Sequence, residues 1–199
     1  TLTLLFTVFI FNQNISQTVV TVKNGSSTSY SLPVELYYDY TFCQSIYLQS
    51  ELGGNAGSIS EIQFEYDGYS NGITENWTIW MGHTTKSDFD DGSDWVAVSG
   101  LTQVFSGSVV TPGSSGFFTI TLDNSFSYNN VDNLIIAVDE NSDGYLADYA
   151  EYYSASAADR TLQYYRDDTD VDPASPPTGT LVDYVPSFKI TITQGVAIS

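Results

Sequence analysis

The sequence predicts an all-β domain: two antiparallel sheets packed face to face as a jelly-roll-like sandwich of about ten strands. Three observations predict it. Tyr, Thr, Val, Ile and Phe are plentiful, and Gly, Asn, Asp and Ser interrupt them at short intervals, the composition of strands separated by turns. No long window carries helical periodicity, whereas alternation with a period of two recurs along the chain. The β-branched run at 134–138 suits a strand buried on both faces. At 199 residues with no composition break, one domain is expected.

Residues 2–11 are an apolar decade, too short to span a bilayer but the length of a secretory leader's core. Residues 1–16 are therefore read as a truncated leader cleaved near Ser16 and Gln17, the domain as 17–193, and 194–199 as a linker or the start of a further region. The competing reading of the first segment is a strand of the mature protein, since Thr and Leu alternate at its start. Val19, Val20 and Val22 form a strand that ends at the turn dipeptide Asn24-Gly25. Residues 44–50 alternate, with Ile46 and Leu48 inward. Ile62, Phe64 and Tyr66 share one face of the next strand, against Glu61, Gln63 and Glu65. Trp77, Ile79 and Met81 repeat the device, as do Phe118, Ile120 and Leu122. Residues 104–110 supply another strand, and Phe188, Ile190 and Ile192 close the domain. Residues 145–166 fit either a two-turn helix or a hairpin; the aromatic content favours a hairpin with arms around Tyr149–Tyr153 and Thr161–Tyr165. Residues 167–180 are a long acidic, then proline-rich loop, the kind that is functional or mobile.

Charge removes whole classes of partner. Asp plus Glu outnumber Lys plus Arg by 24 to 5, so nucleic acid and anionic membrane surfaces are repelled. No membrane insertion is expected. Self-repulsion of this size is relieved by salt or by bound cations. Cys43 stands alone; it forms no internal disulfide, belongs to no zinc set, and is expected to be buried and inert.

The residues that point most directly to chemistry follow the 134–138 strand. Asp139, Asn141 and Asp143 place oxygen-bearing side chains at alternate positions before Gly144, the first half of a calcium loop. A hard cation needs several carboxylate and amide oxygens converging on one point, and the glycine allows the sharp turn. The twelfth position is Ala150 rather than Glu; Asp148 or Glu151 is available as a more distant ligand. An ordinary turn uses the same residues. Asp88, Asp90, Asp91 and Asp94 around Gly92, and Asp168, Asp170 and Asp172, are further acidic loops that read as solvated. His83, the single histidine, reads as a structural hydrogen-bonding residue, with no nucleophile signalled beside it. Most aromatics belong to the core by alternation; Trp80, Trp95 or Tyr145, if exposed together, would mark a binding face.

Several phrases, at 44–53 (QSIYLQSELG), 79–87 (IWMGHTTKS), 101–107 (LTQVFSG), 118–122 (FTITL) and 133–141 (NLIIAVDEN), resemble a β-sandwich module of secreted multidomain Bacteroidetes proteins exported by the type IX system. The likeness extends over residues 36–192 and, more distantly, to cleaved-adhesin domains, which are calcium-containing jelly rolls. It implies a secreted or cell-surface location, further domains in the same polypeptide, and an extracellular protein or polysaccharide as partner.

The expected function is a non-catalytic structural or adhesion module, with calcium as the candidate cofactor at Asp139, Asn141 and Asp143. The alternative is a carbohydrate-binding module, to be recognised by two or three coplanar exposed aromatics on one sheet or loop rim, and ruled out by a core location for all three Trp. A jelly-roll glycoside hydrolase ranks third, since Glu61 and Glu65 on one strand face are an ordinary arrangement of solvent-facing acids.

Overall fold

The computed structural model describes residues 15–28, 31–69, 72–144 and 151–195. Ten strands are described: β1 (Ile15–Lys23), β2 (Tyr40–Tyr47), β3 (Gly57–Tyr66), β4 (Thr74–Thr84), β5 (Thr102–Val110), β6 (Gly116–Tyr128), β7 (Asn133–Glu140), β8 (Ser154–Arg166), β9 (Thr180–Pro186) and β10 (Phe188–Gly195). They form a four-stranded sheet in the order β1-β10-β3-β6 and a six-stranded sheet in the order β5-β4-β7-β2-β8-β9. Every pairing is antiparallel. The predicted two-sheet, all-β sandwich is the fold.

The alternation patterns explain why the sheets pack. Ile62, Phe64 and Tyr66 from β3, Trp77, Ile79 and Met81 from β4, and Phe188, Ile190 and Ile192 from β10 all enter the core between the sheets. Phe188 links the layers, with ring centroids 4.6 Å from Tyr47 and 5.4 Å from Phe64. Each fully buried side chain of this size contributes roughly 1.5–3 kcal/mol. Tyr47 keeps its hydroxyl satisfied by donating to the Pro186 carbonyl at 3.1 Å.

A partial third layer covers the six-stranded sheet. Phe89, Trp95 and Leu101, from the segment between β4 and β5, pack over Phe42, Ile46, Ile135, Ala137 and Leu162. Val171, from the segment between β8 and β9, joins them. The two covering segments meet where the Gly179 N–H donates to the Gly92 carbonyl at 2.8 Å. Both positions need glycine: a Cβ on Gly92 would lie 2.3 Å from the Gly179 carbonyl oxygen, and one on Gly179 would lie 2.5 Å from the Trp95 ring.

This layer corrects one expectation. The strand expected at 44–50 is β2, which starts at Tyr40 and gives way to a 3-10 turn at Gln49–Glu51. Ile46 packs under the third layer and Tyr47 faces the inter-sheet core; alternation cannot distinguish the faces of a strand covered on both. The hairpin expected within 145–166 is also corrected. Ser154–Arg166 is one strand, and the polar residues read as a turn form an irregularity between Ser156 and Thr161. Asp159 sits there at φ 56°, a conformation Asp tolerates, and its N–H donates to Asp183 Oδ1 at 3.1 Å. Tyr152 makes an isolated bridge to Tyr66, while 145–150 lie outside the described residues. β9 adds an edge strand at Thr180–Pro186, directly after the acidic and proline-rich loop.

At the chain's start, β1 pairs with β10 from Ile15↔Gly195 onward, so Ile15, Ser16, Gln194 and Gly195 belong to strands. Residues 1–14 of the expected leader and 196–199 of the expected linker lie outside the described residues.

Candidate cation site

β7 lies between β2 and β4, with Asp139 opposite Phe42 and Thr78, and Glu140 opposite Thr41 and Trp77. The pleat sends neighbouring side chains to opposite faces. Asp139 therefore shares the third-layer side with Ala137, and Glu140 shares the inter-sheet side with Val138. Both carboxylates close otherwise apolar rows, at 3 % and 2 % exposure.

Asp139 Oδ1 has no hydrogen-bond partner. Burial, then the charge of Asp170, push the Asp139 carboxyl up to about 8; a hydrogen bond from Asn141 opposes this and Asp172 adds to it. The 167–179 loop, anchored by buried Val171, thus brings Asp170 and Asp172 toward Asp139, and both are exposed. Asn141 is positioned by its N–H to the Asn76 carbonyl at 2.8 Å and by Nδ2 to the Asp139 carbonyl at 3.1 Å. Asp143 is exposed. Burial, then the charges of Asp143, Asp170, Asp39 and Glu140, hold the Tyr40 phenol above its usual value.

On the inter-sheet side, Glu140 accepts the Ser142 N–H at Oε1, 2.6 Å, and Ser142 Oγ accepts the Asn76 N–H at 2.7 Å. Glu75, 7 % exposed, accepts the Trp77 indole N–H at 3.1 Å. Burial raises Glu75 to about 7, against the Trp77 bond. Burial and then the Glu75 charge raise Glu140 to about 8. The fully buried Tyr152 hydroxyl has no hydrogen-bond partner and faces the charges of Glu75 and Glu140.

Three buried carboxylates therefore crowd one end of the sandwich, and the chain's five basic side chains are engaged elsewhere. Lys23 and Arg160 pair with Glu51, and Lys86 with Asp94. Arg166 bonds the Asp167 carbonyl at 3.3 Å, and Lys189 lies 3.7 Å over the Phe117 ring. Unpaired, these carboxylates must take up protons or a cation from solution. As placed, no three His, Cys, Asp or Glu side chains among the described residues converge closely enough to cage an ion. The exposed Asp170 and Asp172 would have to turn inward to complete a cage.

Of the three predicted ligands, Asp139 is buried, Asn141 beside it bonds the Asp139 carbonyl and Thr78 Oγ1, and Asp143 is exposed. The contribution of 167–172 was not foreseen; its alternating aspartates were visible but nothing in sequence linked them to Asp139. Of the alternative ligands, Asp148 lies outside the described residues. Asp91 and Asp94 serve their own loop, accepting the Ser93 N–H at 2.7 Å and the Asp90 N–H at 2.9 Å. His83 Nε2 accepts the Asn129 N–H at 3.1 Å, a structural role as expected. Cys43 is buried, its thiol pushed up to about 12 by burial.

Trp80, Trp95 and Tyr145 are the aromatics that would mark a binding face if exposed together. Trp80 and Trp95 are half-buried against the third layer, and Tyr145 lies outside the described residues. Exposed Tyr37 and Tyr165 instead flank a half-buried Tyr38. A groove of about 160 Å3 between β5 and β6 is lined by Phe105, Ser108, Phe118 and Thr121 among others, none of them titratable.

No known protein family and no curated protein matches the chain by sequence. Among solved structures, it is similar to the cysteine protease and lectin-like domains of Cwp84, a surface layer associated protein of Clostridium difficile. The TM-score is 0.45 and the identity 10 %, over 79 % of this chain and 33 % of that one. The chain thus spans about a third of the length of that structure.

Proposed function

We propose that this chain is a non-catalytic structural or adhesion module of a larger secreted or cell-surface protein, with calcium fixing the loops at one end of its sandwich. The observation that carries this reading is Asp139: a carboxylate 3 % exposed, with Oδ1 unpartnered, facing two further aspartates and no basic side chain. Oxygen ligands of this hardness suit calcium, which accepts irregular coordination and completes it with water. Calcium in place of protons would join β7 to the 167–172 loop. Millimolar extracellular calcium is enough to fill a site of this openness, whose dissociation constant falls at about 10⁻⁴ M for such modules.

The non-catalytic part of the reading is supported by the positions of the acids. Asp139 and Glu140 are buried and do not line the β5–β6 groove, and Glu75, paired across to Val109 of that groove, does not itself line it. Glu61 and Glu65 lie half-buried on the outward face of β3, and Glu65 Oε2 is itself buried without a hydrogen-bond partner.

Calorimetric titration of calcium chloride into the protein tests the reading. Saturable binding near 10⁻⁴ M, weakened at least about tenfold by Asp139→Asn and by Asp170→Asn, is expected. Magnesium should bind more weakly, because it demands regular octahedral geometry. An isotherm without saturable heat up to about 10 mM calcium would remove the cation from the account.

A further inference from the structure

We infer that the tyrosine rim formed by Tyr37, Tyr38 and Tyr165 binds a neutral polysaccharide. Tyr37 and Tyr165 are 60 % and 38 % exposed. Tyr38 stacks on Tyr165 with centroids 4.3 Å apart and planes 30° apart, and Tyr37 meets Tyr38 edge-on at 5.5 Å. The rings come from two elements held in fixed register: Tyr37 and Tyr38 precede β2, Tyr165 ends β8, and Thr41 pairs with Tyr165 and Tyr40 with Arg166.

The turn that carries the first two rings is held at several points. The Tyr38 N–H donates to the Glu35 carbonyl at 3.2 Å, the Tyr37 N–H to Glu35 Oε1 at 3.3 Å, and the Asp39 N–H to Asp167 Oδ1 at 3.4 Å. Such a rim is ordered before any ligand arrives, which lowers the entropy lost on binding.

Its chemistry selects the ligand. Flat aromatic faces take the apolar C–H face of a sugar ring, while phenol hydroxyls and neighbouring carboxylates bond its hydroxyl groups. Glu35 and Asp167 place carboxylate acceptors beside the rings. A net charge of −19 repels uronic-acid and sulfated polymers, which leaves neutral chains. A protein partner generally needs a face of about 800 Å2 with a dry apolar centre, whereas these three rings are bordered by charge. The assignment rests on the reading as an adhesion module, which it deepens, and makes no use of the cation.

Native affinity electrophoresis of the full chain tests it, in gels containing mixed-linkage β-glucan, glucomannan or xylan as neutral polymers and alginate as the acidic one. At least one neutral polymer should retard the protein. Tyr37→Ala with Tyr165→Ala should weaken that retardation at least about tenfold, and Tyr37→Phe should preserve it; alginate should have no effect. Thermal unfolding of each variant reports whether it folds, and Tyr37→Ala alone, at the most exposed ring, serves if the double variant does not. No retardation by any neutral polymer, retardation that survives the alanine variants, or equal retardation by alginate would each overturn the assignment. Each gel is run in calcium and in chelator. Absent retardation beside a normal calcium isotherm sinks this inference alone, and retardation without any calcium binding sinks the cation reading alone.

Discussion

At the residue scale, the contrast between Glu51 and Asp139 shows what a basic partner does for a carboxylate. Burial would raise the Glu51 carboxyl, but Arg160, Lys23 and the Leu48 N–H outweigh it and hold it below its ordinary value. Arg160 grips it with two bonds, at 2.9 and 3.1 Å, a geometry lysine cannot reproduce. The arrangement ties β1 and β8 to the turn after β2. Arg160→Ala should therefore destabilise the domain by about 2–3 kcal/mol, the worth of charged hydrogen bonds in a half-buried place; denaturant unfolding measures it, and a change under about 0.5 kcal/mol would make the contact a surface pair of the ordinary weak kind. Asp139 has the opposite surroundings, with no cation and one oxygen without a partner.

At the element scale, the end where β4 starts and β7 finishes concentrates acid inside the sandwich. Glu75 faces Glu140 on β7, the Trp77 indole on its own strand and the Tyr152 ring before β8. Its carboxyl is raised from 4.5 to about 7 by burial, so the folded state holds a proton that the unfolded chain releases. Stability from this group is complete below about pH 4.5 and is lost as pH rises through about 7. Unfolding free energies measured from pH 5 to 8 in chelator should fall with pH, and Glu75→Gln should flatten that fall; an identical slope in the variant would show that Glu75 does not carry it.

The same elements show what the sequence made legible. The faces of β3, β4, β6 and β10 could be read because apolar residues alternate with polar or half-buried ones along each, so Ile62, Trp77, Ile120 and Ile190 announce themselves by alternation. β2 and the 154–166 strand could not: the first is covered on both faces, and the second carries a polar irregularity that imitates a turn. In the candidate site, Asp139 was legible as a loop acid after an apolar strand. Its burial and its approach to Asp170 and Asp172 depend on Val171 docking from 32 positions further along the chain. The tyrosine rim was illegible for the same reason, since Tyr38 and Tyr165 meet only through the β2–β8 pairing.

At the scale of the whole molecule, a net charge of −19 on 199 residues opposes compaction, and general screening by salt relieves part of that repulsion. A specific calcium ion must do more than salt of equal ionic strength, and it must depend on one buried carboxylate. The most direct measurement is thermal unfolding in chelator and in about 10 mM calcium at matched ionic strength, for the native chain and for Asp139→Asn. A site of about 10⁻⁴ M then adds about 2.7 kcal/mol, or roughly 5–10 °C for a domain of this size. The account predicts that shift in the native chain and at most about half of it in Asp139→Asn; an equal shift in both proteins, or none beyond that of matched salt, would contradict it.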